Sequence, residues 1–176
     1  PGCDEHLLVH KLRTHKDFLP DCSRIALVDG QIAGVIMYFK CMIHGEDGDV
    51  EVASFGPLCV DHKYKNCGIG RKLLEETIPL VKEAGFPGIV IMGEPYYYPK
   101  FGFQRCREFG ITDMDGNAYD PFMGLELIEG GLHIKGGRFE ESSVVEECTE
   151  EALAELEKDF PPLKKISQPC QWSYEN

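Results

Sequence analysis

Cations are scarce in this sequence: 18 Lys+Arg stand against 30 Asp+Glu, a formal charge of −12. A surface with that balance repels nucleic acid and anionic lipid, so a role on either would need a local basic exception. Long apolar runs are lacking too. The longest, residues 32–39, has eight residues, against roughly 18 for a bilayer span. No basic-then-apolar leader opens the chain, so the expectation is a cytoplasmic protein. The eight cysteines include no Cys-x-x-Cys pair, which removes the usual zinc and redox spacings and leaves reduced, mostly buried thiols as the expectation.

What is present fits one globular domain. At 176 residues a chain buries enough surface to hold a core without disulfides or structural metal. No internal repeat, long linker or low-complexity tract divides it. A single domain over 1–176 is therefore expected, with its informative core at 24–128 and a C-terminal extension at 129–176. That extension ends in a tail with Pro161, Pro162, Trp172 and Tyr174, which is expected to pack either on its own domain or on a partner.

Residues 4–13 suggest a short helix capped by Asp4, with Leu7, Leu8 and Leu12 on one face. Residues 24–28 and 31–42 flank Asp29-Gly30, a dipeptide that accepts the positive φ angles of a tight hairpin. A third strand is expected at 50–60. Phe55-Gly56-Pro57 lies inside it and marks a bulge, since proline donates no ladder bond and glycine weakens pairing. From Ile69 the apolar residues recur at helical period as far as Ala84, with Gly85 as stop and Pro79 as an interior kink or break. Residues 88–92 read as a strand buried on both faces. Further strands are expected near 122–128 and around 132–139, and an acidic helix at 150–158 behind Thr149.

The turn between the bulged strand and the best helix carries the chemistry. Lys65-Asn66-Cys67-Gly68-Ile69-Gly70-Arg71-Lys72 places two glycines at a helix N-terminus, where unpaired amides and the positive end of the helix dipole collect. Lys63, Lys65, Arg71 and Lys72 fall between His62 and Leu73 with no acid among them. In an acidic chain that reversal points to an anion. The segment lacks the third glycine of a dinucleotide fingerprint and the Gly-Lys-Ser/Thr ending of a P-loop.

In this order, bulged strand, glycine turn, helix, buried strand and Tyr-rich segment resemble the GNAT superfamily of acetyl-coenzyme A-dependent N-acetyltransferases. The family pattern Arg/Gln-x-x-Gly-x-Gly/Ala falls on Lys65, Gly68 and Gly70, and residues 93–103, Gly-Glu-Pro-Tyr-Tyr-Tyr-Pro-Lys-Phe-Gly-Phe, are similar to the Gly-x-Pro-x-Tyr-Tyr-x-x-Phe-Gly-Phe signature of one bacterial branch. The resemblance implies an α/β (α+β) fold: a mixed, mostly antiparallel sheet with a splayed, bulged strand and flanking helices. Its first strand and helix have no counterpart among the roughly 23 residues before Arg24, so they are expected to be missing. Lys65 replaces the usual Arg or Gln, which keeps a donor and loses the bidentate fork.

The same resemblance implies acetyl-coenzyme A as co-substrate, no metal, and a small-molecule or peptide amine as acceptor. Leu58, Cys59 and Val60 would pair with pantetheine as a missing strand. Lys65, Asn66, Cys67, Gly68, Ile69, Gly70, Arg71 and Lys72 would hold the pyrophosphate, and an amide near Cys59 or Val60 would meet the oxyanion. Tyr98 falls at the general-acid position, with a packed core aromatic as the plainer alternative, and Tyr97 is assigned to packing. Glu51, and His44 through water, are candidate bases beside a water chain with none. The Cys41/His44 and Cys59/His62/Cys67 groupings lack zinc-module spacing, and His6 and His10, which share one face at i, i+4 as a metal pair would, are expected to meet solvent or the substrate cleft. A catalytically silent acyl-coenzyme A sensor is the alternative function, and neither the acceptor nor the oligomeric state is fixed by the residues.

Overall fold

The computed structural model describes residues 4–162. One eight-stranded sheet organises them. Its strands are β1 (Phe18–Val28), β2 (Gln31–His44), β3 (Val50–Val60), β4 (Gly88–Met92), β5 (Gln104–Arg105), β6 (Thr112–Asp113), β7 (Phe122–Glu126) and β8 (Arg138–Glu140). They run in the order β5-β7-β4-β3-β2-β8-β6, and β1 pairs with β2 on the edge that β8 also uses. Most pairings are antiparallel; β3 with β4 and β6 with β8 are parallel. The helices are α1 (Glu5–Leu12), α2 (Ile69–Glu83), α3 (Ser143–Glu146) and α4 (Glu150–Leu156).

The hairpin forms as its turn chemistry requires: Asp29 and Gly30 take φ of 49° and 76°, and Val28 pairs directly with Gln31. β1 begins earlier than expected, at Phe18. Its register breaks between Leu19/Tyr38 and Arg24/Ile36, so residues 20–23 bulge outward around Pro20. Ser23 closes that bulge, its Oγ accepting from Tyr38 N at 2.9 Å and donating to Leu19 O at 2.8 Å.

Two cores lie on the two faces of the sheet. Ile36, Tyr38, Ala53, Phe55 and Ile89 pack with Leu73, Leu74 and Val81 of α2. Met37, Phe39, Cys41, Val52 and Val90 pack with Leu12 of α1, and with Phe139 and Val144. The alternation of odd and even residues along β2 separates the two sets, as the strand period demands.

Helix α2 continues through Pro79 as one element, Ile69–Glu83, so no turn is lost there. The ring leaves the Glu75 carbonyl without its helical donor, and burial of Leu73, Leu74, Thr77 and Val81 outweighs one missing bond. Gly34 seats this helix. A Cβ there would stand 3.0 Å from Ile69 Cγ2, 3.1 Å from Cys59 O and 3.2 Å from Leu73 Cδ1. Because one of those neighbours is backbone, Gly34→Val is expected to destabilise the fold by about 1–3 kcal/mol, read as a lower midpoint in urea with an unchanged slope.

Thr149 caps α4 as expected, Oγ1 accepting from Ala152 N at 3.2 Å, whereas Asp4 makes no side-chain capping bond to α1. The extended piece expected at 132–139 is a strand only at Arg138–Glu140. Cys22, Cys41 and Cys106 are buried, and Cys148 is half-buried; Cys59 and Cys67 are exposed, against the expectation of mostly buried thiols. Cys3, Cys170, Trp172 and Tyr174 lie outside the described residues.

Candidate functional site

The bulge forms where the sequence placed it. In the β2/β3 ladder Ile36 faces Leu58 and Tyr38 faces Phe55, so Gly56 and Pro57 together stand opposite Met37. Beyond it the two central parallel strands part: β3 and β4 share one paired position, Ala53 with Ile89. Residues 58–60 therefore pair with β2 on one side and face no strand on the other.

Which backbone groups face that gap follows from the ladder. Asp61 N donates to Ala33 O at 2.9 Å, and antiparallel pairs alternate between bonded and non-bonded. Cys59 is then bonded to Val35, and the N–H and C=O of Leu58 and Val60 point toward the β4 side. This corrects one expectation: the Cys59 amide is engaged with β2, and the amides turned to the gap are those of Leu58 and Val60.

At the end of the gap stands the N-terminus of α2. A 3-10 turn (His62–Tyr64), capped by Asp61 accepting from Lys63 N at 2.8 Å, turns the chain back. Asn66 and Gly68 then take φ of 63° and 80°, which brings successive amides to one side. The first bond into the helix is Lys72 N to Gly68 O at 2.9 Å, so the amides of Ile69, Gly70 and Arg71 precede the bonded turns and are its orphan donors. Lys65, Asn66, Cys67, Gly68, Arg71 and Lys72 are exposed; Ile69 and Gly70 are half-buried. The Arg71 charge is shared, because Nε donates to Glu75 Oε1 at 2.7 Å. Lys63, Lys65 and Lys72 supply the remaining positive field.

Tyr98 stands beside the bulge. Its ring lies 5.8 Å from Phe55 and 5.5 Å from Phe103, and Gly93 makes room for it, since a Cβ there would overlap the ring. Burial, then the neighbouring Tyr97 and Glu5, hold the Tyr98 phenol well above its ordinary pKa, so it keeps its proton throughout the neutral range. Tyr97 packs on Tyr98 and Phe101, 5.2 and 5.4 Å between ring centroids. Its hydroxyl also reaches the first turn of α2, 3.6 Å from where a Cβ on Gly70 would stand. Packing alone does not describe Tyr97.

The two candidate bases are held elsewhere. Glu51 precedes Phe55 by four residues, about 13 Å along a strand, and lies 3.5 Å from Lys40 Nζ in a cleft of about 390 Å³ that Asp17, Glu140 and Glu146 also line. The structure does not bring it to Tyr98. His44 sits at the end of β2 with its two ring nitrogens 3.0 Å from Asp49 and 3.0 Å from Glu140. Hydrogen bonds that the ring donates to the Glu140 and Asp49 carboxylates raise its pKa above 6.5. A raised folded value makes this contribution to stability present in full below about pH 6.5, the unperturbed value, and lost as pH rises through the folded pKa. An NMR titration is expected to place the His44 midpoint above 6.5, and Asp49→Asn with Glu140→Gln to return it there. Among the described residues no group of three or more His, Cys, Asp and Glu side chains could hold a metal, and no helix is long and apolar enough to cross a membrane.

The fold has known counterparts. A curled, mostly antiparallel sheet flanked by helices is the architecture of GNAT structures. Residues 20–105 match the family described as the acetyltransferase (GNAT) domain. The chain is 33% identical to the uncharacterised N-acetyltransferase YhbS of Escherichia coli over 111 residues, 58% of this chain and 64% of the relative; the match thus spans a little under two thirds of the relative's length. In three dimensions it superimposes on the crystal structure of E. coli YhbS in complex with CoA at a TM-score of 0.71 and 25% identity, covering 81% of this chain and 78% of the other. A Brucella melitensis GNAT-family acetyltransferase in complex with acetyl-CoA gives 0.63 at 25% identity, with the same coverage. These likenesses support the GNAT superfamily and an acyltransferase.

Proposed function

We propose that this protein moves an acetyl group from acetyl-coenzyme A to a primary amine of a small molecule or peptide by direct attack. The observation that carries the proposal is the opening between β3 and β4, which share a single paired position, beside the orphan amides of α2. YhbS and the Brucella protein were crystallised with CoA and acetyl-CoA, and an opening of this kind suits the same ligand here. Pantetheine lies along Leu58 and Val60 as an added strand. The pyrophosphate takes the amides of residues 66–71, where Gly68 and Gly70 leave backbone exposed.

The acceptor nitrogen attacks the thioester carbon, and charge develops on the carbonyl oxygen. An outward amide of Leu58 or Val60 stabilises it as a fixed dipole that needs no reorganisation. The carbon–sulfur bond breaks, the sulfur leaves with the electron pair, and Tyr98 gives it a proton. The nitrogen loses one proton to solvent and becomes an amide, and solvent returns a proton to Tyr98. Free thiol released from acetyl-coenzyme A, followed with a panel of primary amines, tests this: release is expected to depend on the amine and to match the amide formed. Tight cofactor binding with no release toward any amine would instead leave a binding module.

A further inference from the structure

Tyr97 reaches across the opening between β3 and β4. It follows β4 in the chain, yet its hydroxyl lies 3.6 Å from where a Cβ on Gly70 would stand, and Val60 Cγ2 lies 3.5 Å from the same point. The end of β3, the first turn of α2 and the Tyr97 hydroxyl therefore meet at one place. Gly70 carries no side chain there, so the meeting point stays open and the Gly70 amide stands beside it.

The ring is held from its own side of the gap. Tyr98 and Phe101 lie 5.2 and 5.4 Å from it between centroids, and Lys100 Nζ stands 5.5 Å over its face. These contacts use the ring alone, and a phenylalanine would keep those with Tyr98 and Phe101. The hydroxyl adds a donor aimed at the turn where Ile69, Gly70 and Arg71 leave their amides without a helical acceptor. Burial raises its pKa, while Arg71 lowers it and Glu75 raises it, so it keeps its proton near neutral pH. An anion seated on those amides is met from one side by α2. From the other side it is met by a hydroxyl whose ring cannot easily swing away.

We infer that Tyr97 is a phosphate ligand of the cofactor: its hydroxyl donates to an oxygen of the pyrophosphate held on the α2 turn, so that both walls of the gap grip the same group. The inference rests on the acetyl-coenzyme A reading above and extends the phosphate site beyond residues 65–72. Hydrogen bonds from a neutral hydroxyl to a phosphate oxygen are charge-assisted and stronger than neutral ones. The contact is made equally before and during acetyl transfer, so it acts on cofactor affinity and not on the chemical step.

The test titrates wild type, Tyr97→Phe and Tyr97→Leu with coenzyme A by calorimetry and records phosphorus NMR of the bound cofactor. Tyr97→Phe is expected to raise Kd about tenfold, the scale of one hydrogen bond to a charged group. The pyrophosphate resonances move in that variant while the 3′-phosphate resonance stays in place. In turnover the change falls on KM for acetyl-coenzyme A, the reverse of the split expected for Tyr98→Phe. Tyr97→Leu, which also loses the ring, raises Kd at least as much. An unchanged Kd in Tyr97→Phe, with a loss only in Tyr97→Leu, would assign the residue to packing and overturn this inference alone. A raised Kd with the pyrophosphate resonances unmoved, or with all three phosphorus resonances shifted together, overturns it as well, since either places the effect elsewhere than at the pyrophosphate. A wild type that binds no coenzyme A overturns it together with the acetyl-transfer reading.

Discussion

Tyr98→Phe is expected to lower kcat by about 10²-fold while leaving KM for acetyl-coenzyme A and the melting temperature nearly unchanged. Three features combine to give that pattern. The ring is the structural part of the residue, packed against Phe55, Tyr97 and Phe103, and phenylalanine retains it. The hydroxyl is the chemical part. It stays protonated because burial disfavours the phenolate, so it can donate to a departing thiolate at any pH near neutrality. A role confined to packing would give the opposite result: kcat within about twofold, because no ring contact is lost. The assay is steady-state thiol release at saturating amine. The rate in wild type should show no basic limb from Tyr98, since its raised pKa keeps the donor form present well past the range of a model tyrosine, about 10.

A second large effect is expected from Gly70→Asp, with opposite signs for binding and stability. Gly70 is the second residue of α2, and a Cβ on it meets only ordinary contacts, Val60 Cγ2 at 3.5 Å and Tyr97 Oη at 3.6 Å. An aspartate there fits. As an acid in the first turn it interacts favourably with the helix dipole, by about 0.3–1 kcal/mol, so the unliganded protein should melt no lower than wild type. Toward a pyrophosphate the same carboxylate is a like charge. At about 5 Å and an effective dielectric near 20 the repulsion is about 3 kcal/mol, or on the order of a hundredfold in Kd. Calorimetry with coenzyme A and a thermal melt of the unliganded protein measure the two effects. Binding unchanged by Gly70→Asp would place the phosphates elsewhere.

Those features that were legible in the sequence are the local ones. Asp29-Gly30 dictates its own turn, Gly56-Pro57 interrupts its own strand, and the period from Ile69 defines α2 because burial on one face repeats every turn. The proposed anion site is likewise a single stretch, so its cations, glycines and helix start could be read together. What escaped depends on distant pairings. The extended piece expected at 132–139 shrinks to Arg138–Glu140, which joins the sheet because β2 is 14 residues long and β1 covers only part of it. Pro20 and Asp21 disguise the start of β1, since neither favours a strand, and the register break between Leu19 and Arg24 accommodates them.

The same physics limited the site. Cys59 cannot be told from Leu58 or Val60 without the phase of the ladder, which one bond, Asp61 N to Ala33 O, supplies. Glu51 looked suited to proton abstraction from its place on the bulged strand, but Lys40, on the neighbouring strand, holds it.

Acetyl-coenzyme A labelled at the acetyl carbonyl carbon, mixed with the enzyme and a cationic primary amine, follows the reacting atom itself by NMR. The expected result is loss of the thioester resonance with matching growth of an amide resonance, at a rate cut about a hundredfold by Tyr98→Phe. A thioester signal that persists while coenzyme A binds at the α2 turn, or that converts only to free acetate, would contradict acetyl transfer to an amine.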